Sequence, residues 1–426
     1  MPQTLSEKIL SAKVGKAVKA GDIVIADVDL VFVVDSSGPL SFREMADMGL
    51  ERVAHPERTV LFMDHNVPSP RAELSQEQDF LRQMAAKHEL RLYDVGDGIC
   101  HQLVLEELGV PGGVTIGADS HTCTAGALCN FGTGMGASDV AVVMGTGKTW
   151  LRVPESIEVR LQGRLPVGVF AKDIALELER IVTAGGGTYM ALEFTGPTVA
   201  MLSVSERATL ANMAVEMGGK IGFFPSDEQA RRWLAEHGRE EAWRPIETEE
   251  GASYARVVAI DCATLEPMVA CPHTPDNVKS VSMLKGTPIH EVYIGTCTNA
   301  RLDDLAVAAG ILKGRHVHPG TRLIVIPSSR KVLQDGMRLG YIQDLVAAGA
   351  SLGPPSCGTC FGMHMGVPAD GENVMSTQNR NFKARMGNAN AFVYLGSPAV
   401  AAMAALTREI SDPRDVLADP RLAGQG

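Results

Sequence analysis

The chain has no long uninterrupted apolar run, which excludes a transmembrane helix. It has no surplus of positive charge: 39 Lys and Arg stand against 50 Asp and Glu, a formal net charge of −11. That balance argues against a nucleic acid or an anionic membrane as partner. Aromatic residues are sparse, at 5 %, so a basic surface interleaved with aromatic rings is not available for RNA. Eight cysteines in 426 residues are too few for a dense disulfide framework, and in a reducing compartment they read as thiols or metal ligands. The N-terminus has no basic region followed by an apolar stretch, so no signal peptide is expected and the expected location is cytoplasmic. Short-period repeats and low-complexity tracts are absent as well.

What is present is ordinary globular composition, 45 % hydrophobic and 21 % charged, over a length that calls for more than one core. Strand patterns occur at Ile23–Asp27, Leu30–Val34, Thr59–Met63, Gly113–Gly117 and Arg322–Pro327. Helical periodicity covers 75–88, 170–181, 206–217 and 397–410. This alternation predicts an α/β architecture with largely parallel sheets. Arg152-Val-Pro-Glu and Lys285-Gly-Thr-Pro look like domain entries. They divide the chain into three α/β domains, 1–154, 155–284 and 285–426. The charged segment 227–250 reads as a solvated helix and loop.

Three cysteines stand in glycine-rich turns: Cys297 in Gly295-Thr-Cys-Thr-Asn299, and the pair Cys357-Gly-Thr-Cys360. A CxxC pair lets two sulfurs reach one cluster from one tight loop. By itself it also fits a redox pair or half of a zinc site, and three buried structural thiols is the plain alternative. No second CxxC completes a four-cysteine zinc site. Cys100, Cys123, Cys129, Cys262 and Cys271 lack such settings and read as core. Histidines next to carboxylates form a second set: Asp64-His65, His101, and Asp119-Ser-His121. A carboxylate fixes the tautomer of its histidine and raises its basicity, which suits proton transfer. Each pair alone is more often a satisfied structural pair; together at strand ends they suggest a cleft. Arg380 and Arg385, with Asn379 beside them, make a candidate carboxylate clamp, because guanidinium binds carboxylate through two parallel hydrogen bonds. Gly132-Thr-Gly-Met-Gly and Gly145-Thr-Gly-Lys-Thr149 do not match a P-loop or the dinucleotide fingerprint, and read as sites of close backbone packing. Glu193, ahead of Gly196-Pro197, is placed where it could face a cleft.

Gly117-Ala-Asp-Ser-His-Thr122, Gly295-Thr-Cys-Thr-Asn299, Ser356-Cys-Gly-Thr-Cys360 and Asn379-Arg-Asn-Phe382, in this order and spacing, resemble the signature segments of the aconitase superfamily. The resemblance spans essentially the whole chain. It is strongest to the branch of 3-isopropylmalate dehydratase large subunits, the short archaeal-type group that includes homoaconitase large subunits. It implies three aconitase-type α/β domains around an iron–sulfur cleft. It implies one [4Fe–4S] cluster on Cys297, Cys357 and Cys360, with one iron free of protein ligand to take a substrate hydroxyl and carboxylate. It gives Asp64, His65, His101, Asp119 and His121 to the departure and return of water, and makes Glu193 a further cluster-proximal carboxylate. Asn379, Arg380 and Arg385 would hold substrate carboxylates. Family members carry the carbon base, a serine, on a swivel domain that in long single-chain aconitases follows the segment at which this chain ends. A separate small subunit is therefore an expected partner. The chain departs from the family pattern at Thr296, where serine is usual, and at Phe361-Gly-Met-His after the CxxC; neither removes a ligand.

The leading expectation is a hydro-lyase that isomerises 2-isopropylmalate to 3-isopropylmalate in leucine biosynthesis. Homocitrate, citramalate and 2,3-dimethylmalate-type acids are alternative substrates. A cluster-bearing RNA-binding regulator and a zinc or redox CxxC protein are readings from other classes.

Overall fold

The computed structural model describes residues 2–417; the end of the third expected domain, 418–426, lies outside the described residues. Among the described residues, three sheets and one separate ribbon organise the fold. The first sheet is wholly parallel, in the order Arg91–Tyr93, Thr59–Phe62, Leu30–Val34, Val114–Gly117, Phe131–Gly134. Its inner strands are buried along their whole length, which is why they read as continuous apolar runs rather than as alternation. The second sheet, also parallel, is ordered Ile221–Phe223, Ala191–Thr195, Ser156–Gln162, Arg256–Asp261. The third has seven strands, with a parallel centre built on Glu291–Ile294, Arg322–Val325, Asn373–Ser376 and Phe392–Leu395.

The α/β expectation is met. All five predicted strands form, with edges within two residues. The helices run Ala72–His88, Ala171–Val182, Val204–Met213 with a 3-10 turn Ala214–Met217, and Pro398–Thr407. The third sheet takes in the antiparallel pair Met268–Ala270 and Val278–Ser280. It therefore draws on residues ahead of position 285, where the sequence reading set the boundary. Strands of three residues are too short to show a periodic signal, so this edge was not visible in the pattern.

In parallel sheets the loops leaving the carboxyl ends of strands build the site. Here Asp35, Asp64 and Asp119 follow strands of the first sheet, and Cys297 and Gln378–Asn379 follow strands of the third. The two carboxyl edges meet across hydrogen bonds. The Cys357 N–H donates to the Asp64 carbonyl at 2.8 Å, and the Ile99 N–H to the Ser328 carbonyl at 2.9 Å. The helix Val204–Met213 and the turn after it close the side, through Asn212 and Glu216. Gly132 and Gly134 serve backbone contact, as read from the sequence. A Cβ would lie 2.3 Å from the Thr122 carbonyl oxygen at the first and 2.4 Å from that of Asp119 at the second.

Candidate active site

Asp119 is the centre of the polar network. It caps the 3-10 helix Ser120–Leu128, its side chain accepting from the His121 N–H at 2.8 Å. The same oxygen lies 2.6 Å from His101 Nε2, and its other oxygen 3.4 Å from His65 Nε2. His65 Nδ1 is 2.8 Å from Asp64 Oδ1. His101 sits on the short helix Cys100–Leu103, which runs on into a π-helical turn at Val104–Leu108, a distortion common at functional sites. Asp64 Oδ2 accepts from the Cys100 N–H at 2.8 Å and so anchors that helix start. His65 thus lies between two carboxylates, and Asp119 among three imidazoles.

The electrostatics follow from this packing. Burial opposes charge on His65, but the Asp64 and Asp119 carboxylates outweigh it and hold its pKa well above the ordinary histidine value. Burial likewise opposes the Asp119 carboxylate, yet the His101, His121 and His65 contacts hold its pKa well below the usual range. Asp64 is lowered for the same reason by His65. The sign for each follows from linkage. The His65 contribution to stability is present below pH 6.5 and lost as pH rises through its raised value. The carboxylate contributions are lost on the acid side. Asp64→Asn removes the leading charge that raises His65. We expect this variant to move the alkaline limb of the kcat/KM–pH profile to lower pH; an unmoved limb would show that His65 does not set it.

The cysteines face this network. One ligand atom each from His101, His121 and Cys297 lie within 4.8 Å of one another, as do those of Asp64, His65 and Cys357. Cys297, Cys357 and Cys360 are 6 %, 8 % and 6 % exposed. Gly358 permits the CxxC loop: its φ is +54°, and a Cβ there would lie 2.3 Å from Ile326 Cδ1. Tyr293, from the strand beneath, donates to the Cys357 carbonyl at 2.9 Å. Thr296, just before Cys297, has φ +83°, which is rare for a β-branched residue. Its hydroxyl accepts the Thr298 N–H at 3.1 Å, bracing the turn.

The donor set fits a thiolate-held cluster. Asn212 Nδ2 lies 3.2 Å and Asn379 Nδ2 3.5 Å from Cys297 Sγ, and Arg385 Nη2 lies 3.4 Å from Cys360 Sγ. Burial, then the neighbouring Cys360, pushes the Cys297 thiol up to about 12. Burial and the Asp64 carboxylate raise Cys357 as well. A bound cation reverses that cost and holds the thiolates. Arg385 Nε is buried without a partner among the described residues, so the guanidinium keeps a donor for a ligand. Arg380 Nε donates to Glu216 at 3.0 Å, and Glu216 in turn bonds His121 Nε2 at 2.8 Å.

Of the residues expected from sequence, Asp64, His65, His101, Asp119, His121, Cys297, Cys357, Cys360, Asn379, Arg380 and Arg385 come together here. Glu193 does not. Its carboxylate accepts from the Leu5 N–H at 3.0 Å, Ser156 Oγ at 2.8 Å and Thr248 Oγ1 at 2.9 Å, and ties the N-terminal helix to the second sheet. It occupies the middle of the strand Ala191–Thr195, so the pleat aims it at that helix and not at the strand end. Glu216, in the turn Ala214–Met217, is a carboxylate in the site that the sequence did not reveal. Asn212, Asp35 and Arg301 were also missed. Asp35 accepts from the His65 and Asn66 N–H groups, each at 2.9 Å. Fully buried Arg301 donates to the Cys297 carbonyl at 2.6 Å and the Thr298 carbonyl at 2.7 Å. Cys100, read as core, is a buried neighbour of Asp64 at the edge of the site.

The profile described as Aconitase family (aconitate hydratase) matches residues 7–288 and 279–408. The chain belongs to the aconitase family. Among relatives in that family, it is 51 % identical to the 3-isopropylmalate dehydratase large subunit of Elusimicrobium minutum, over 98 % of this chain and all of that one. It is 50 % identical to 3-isopropylmalate dehydratase large subunit 1 of Thermotoga maritima, over 97 % and 99 %. The homoaconitase large subunit of Thermus thermophilus is 46 % identical over 98 % of each chain. The crystal structure of Thermococcus kodakaraensis aconitase X in its holo form matches with a TM-score of 0.51 and 13 % identity. That match covers 89 % of this chain and 94 % of that one, and speaks for the family fold alone. Among the described residues no helix is long and apolar enough to cross a membrane.

Proposed function

We propose that the chain is the cluster-bearing large subunit of a hydro-lyase that interconverts 2-isopropylmalate and 3-isopropylmalate and works with a separate small subunit. The carrying observation is the juxtaposition of three buried cysteines with the Asp64–His65–Asp119–His101 network. A [4Fe–4S] cluster on Cys297, Cys357 and Cys360 would supply a Lewis acid for the hydroxyl and an adjacent carboxylate.

The chain's own residues then divide the remaining work. Arg385, with a free Nε–H, and Arg380, held by Glu216, bind the substrate carboxylates. His65, kept protonated between Asp64 and Asp119, donates its proton to the departing hydroxyl oxygen. Water returning in the opposite sense gives that proton back. His101 and His121 share Asp119 and orient it, and Asn212 and Asn379 steady the sulfur of Cys297. A base for the carbon-bound proton comes from the small subunit.

The names of the relatives favour this substrate, and the Thermus thermophilus relative keeps a homocitrate-type acid as the second reading. The test is alkene formation, read by ultraviolet absorbance, by the purified chain with reconstituted cluster and the small subunit, over a panel of hydroxy acids. Turnover of 2-isopropylmalate only when both chains are present is expected. Full turnover without a small subunit contradicts the two-chain reading; strong turnover of another acid and none of 2-isopropylmalate contradicts the substrate.

A further inference from the structure

The strands Ile23–Asp27 and Lys148–Arg152 stand apart from the three sheets as a two-stranded antiparallel ribbon. Both alternate exposed and buried residues. Val24, Ala26 and Leu151 pack inward on the core of the first domain. The outer face carries Ile23, Ile25 and Trp150, exposed by 73 %, 69 % and 63 %. Ile25 and Trp150 are direct cross-strand partners, and Ile23 is the next residue on the same face. Directly paired side chains lie within about 5.5 Å of one another, so the three form one apolar patch. Single exposed apolar residues need no explanation, whereas a contiguous patch with polar edges marks an interaction site. Tryptophan is also the residue most enriched among those that dominate binding energy.

The position of the patch says what covers it. At the Arg152 end the surface runs, contact by contact, to the mouth of the active site. The Arg152 guanidinium lies 4.6 Å from the centre of the Tyr189 ring, and Lys220 Nζ lies 5.3 Å from the same ring. Lys220, Met135 and Val215 line a concavity together with Ser120. Ser120 and Val215 are the neighbours in sequence of Asp119 and Glu216. A chain that completes the active site must reach this rim, and the ribbon is an apolar surface continuous with it.

We propose that the outer face of this ribbon, with Arg152, Tyr189 and Lys220 as its inner border, is the docking surface for the small subunit. The proposal rests on the two-chain reading above. The fitting partner surface is an apolar patch with acidic groups beside it: these meet Arg152 and Lys220, while its reactive loop reaches past Ser120.

The test uses the full chain with reconstituted cluster and the purified small subunit of the same organism. Binding is read by calorimetry or interferometry for wild type, for the double variant Ile25→Glu with Trp150→Glu, and for Trp150→Ala alone. Thermal midpoint and iron content are checked for each. A control, Met283→Glu, changes an exposed residue (71 % exposed) on the short helix Val281–Leu284. The expected result is affinity weakened about 100-fold or more by the double variant and about 10-fold or more by Trp150→Ala, with iron content, thermal midpoint and the control unchanged. Wild-type binding that the double variant and Trp150→Ala leave intact overturns the docking surface but not the two-chain reading. Variants that lose self-association while keeping the small subunit also overturn it and make the ribbon a contact between copies. Wild-type chain that binds no small subunit overturns both.

Discussion

Cys357→Ala is expected to lose iron, labile sulfide and turnover together. Cys357 lies between the two halves of the site. Its N–H donates to the Asp64 carbonyl, its own carbonyl accepts from Tyr293, and its sulfur lies within 4.8 Å of Asp64 and His65 ligand atoms. Removing one of three thiolates would leave a cluster with two protein ligands. The Lewis acid is worth several kcal/mol of charge stabilisation, so turnover should fall by about 1000-fold or more. Cys262→Ala, which changes a buried thiol in the core cluster under the second sheet, is the matched control and should keep its iron. Retention of both iron and activity by the Cys357 variant would remove this thiol from the ligand set.

Asp119→Asn should keep the cluster and lose about 100-fold to 10,000-fold in kcat. One carboxylate serves the His121 N–H, His101 Nε2 and His65 Nε2. An amide has a single acceptor oxygen and offers N–H groups on its other side, so at least one imidazole loses its partner. It also removes a charge that keeps His65 protonated. Iron content and thermal midpoint separate this loss from a folding defect. A variant with wild-type kcat would mean that the histidines do not act through Asp119.

These two effects rest on residues that were legible in the chain as text. Asp64-His65 and Asp119-Ser-His121 are adjacent or nearly so, and the strands before them read as apolar runs because both sheet faces are covered. Cys357 and Cys360 are held in one loop, so spacing revealed them. The residues that escaped notice act at long range from within regular elements. Glu216 meets Arg380 across 164 positions, and Asn212 meets Cys297 across 85. Neither carries a local motif. Arg301 looks like the first residue of a surface helix, yet it turns inward to cap the Cys297 loop. Lys172, inside an amphipathic helix, is likewise buried and donates to the Thr377 and Gln378 carbonyls at 3.1 and 2.7 Å, fixing the segment that carries Asn379 and Arg380. Burial pulls its pKa down to about 8. Glu193 misled for the opposite reason. Its neighbourhood has a turn motif that suggests a cleft, but strand pleat, invisible without the register, decides which way a mid-strand side chain faces.

The central claim is that Cys297, Cys357 and Cys360 hold an iron–sulfur cluster against the histidine–carboxylate network. The most direct measurement is iron, zinc and acid-labile sulfide per chain after anaerobic reconstitution, with the optical spectrum. The account predicts about four iron and about four sulfide per chain, a broad visible absorption, and loss of both elements in each of the three cysteine variants. Stoichiometric zinc without labile sulfide would contradict it.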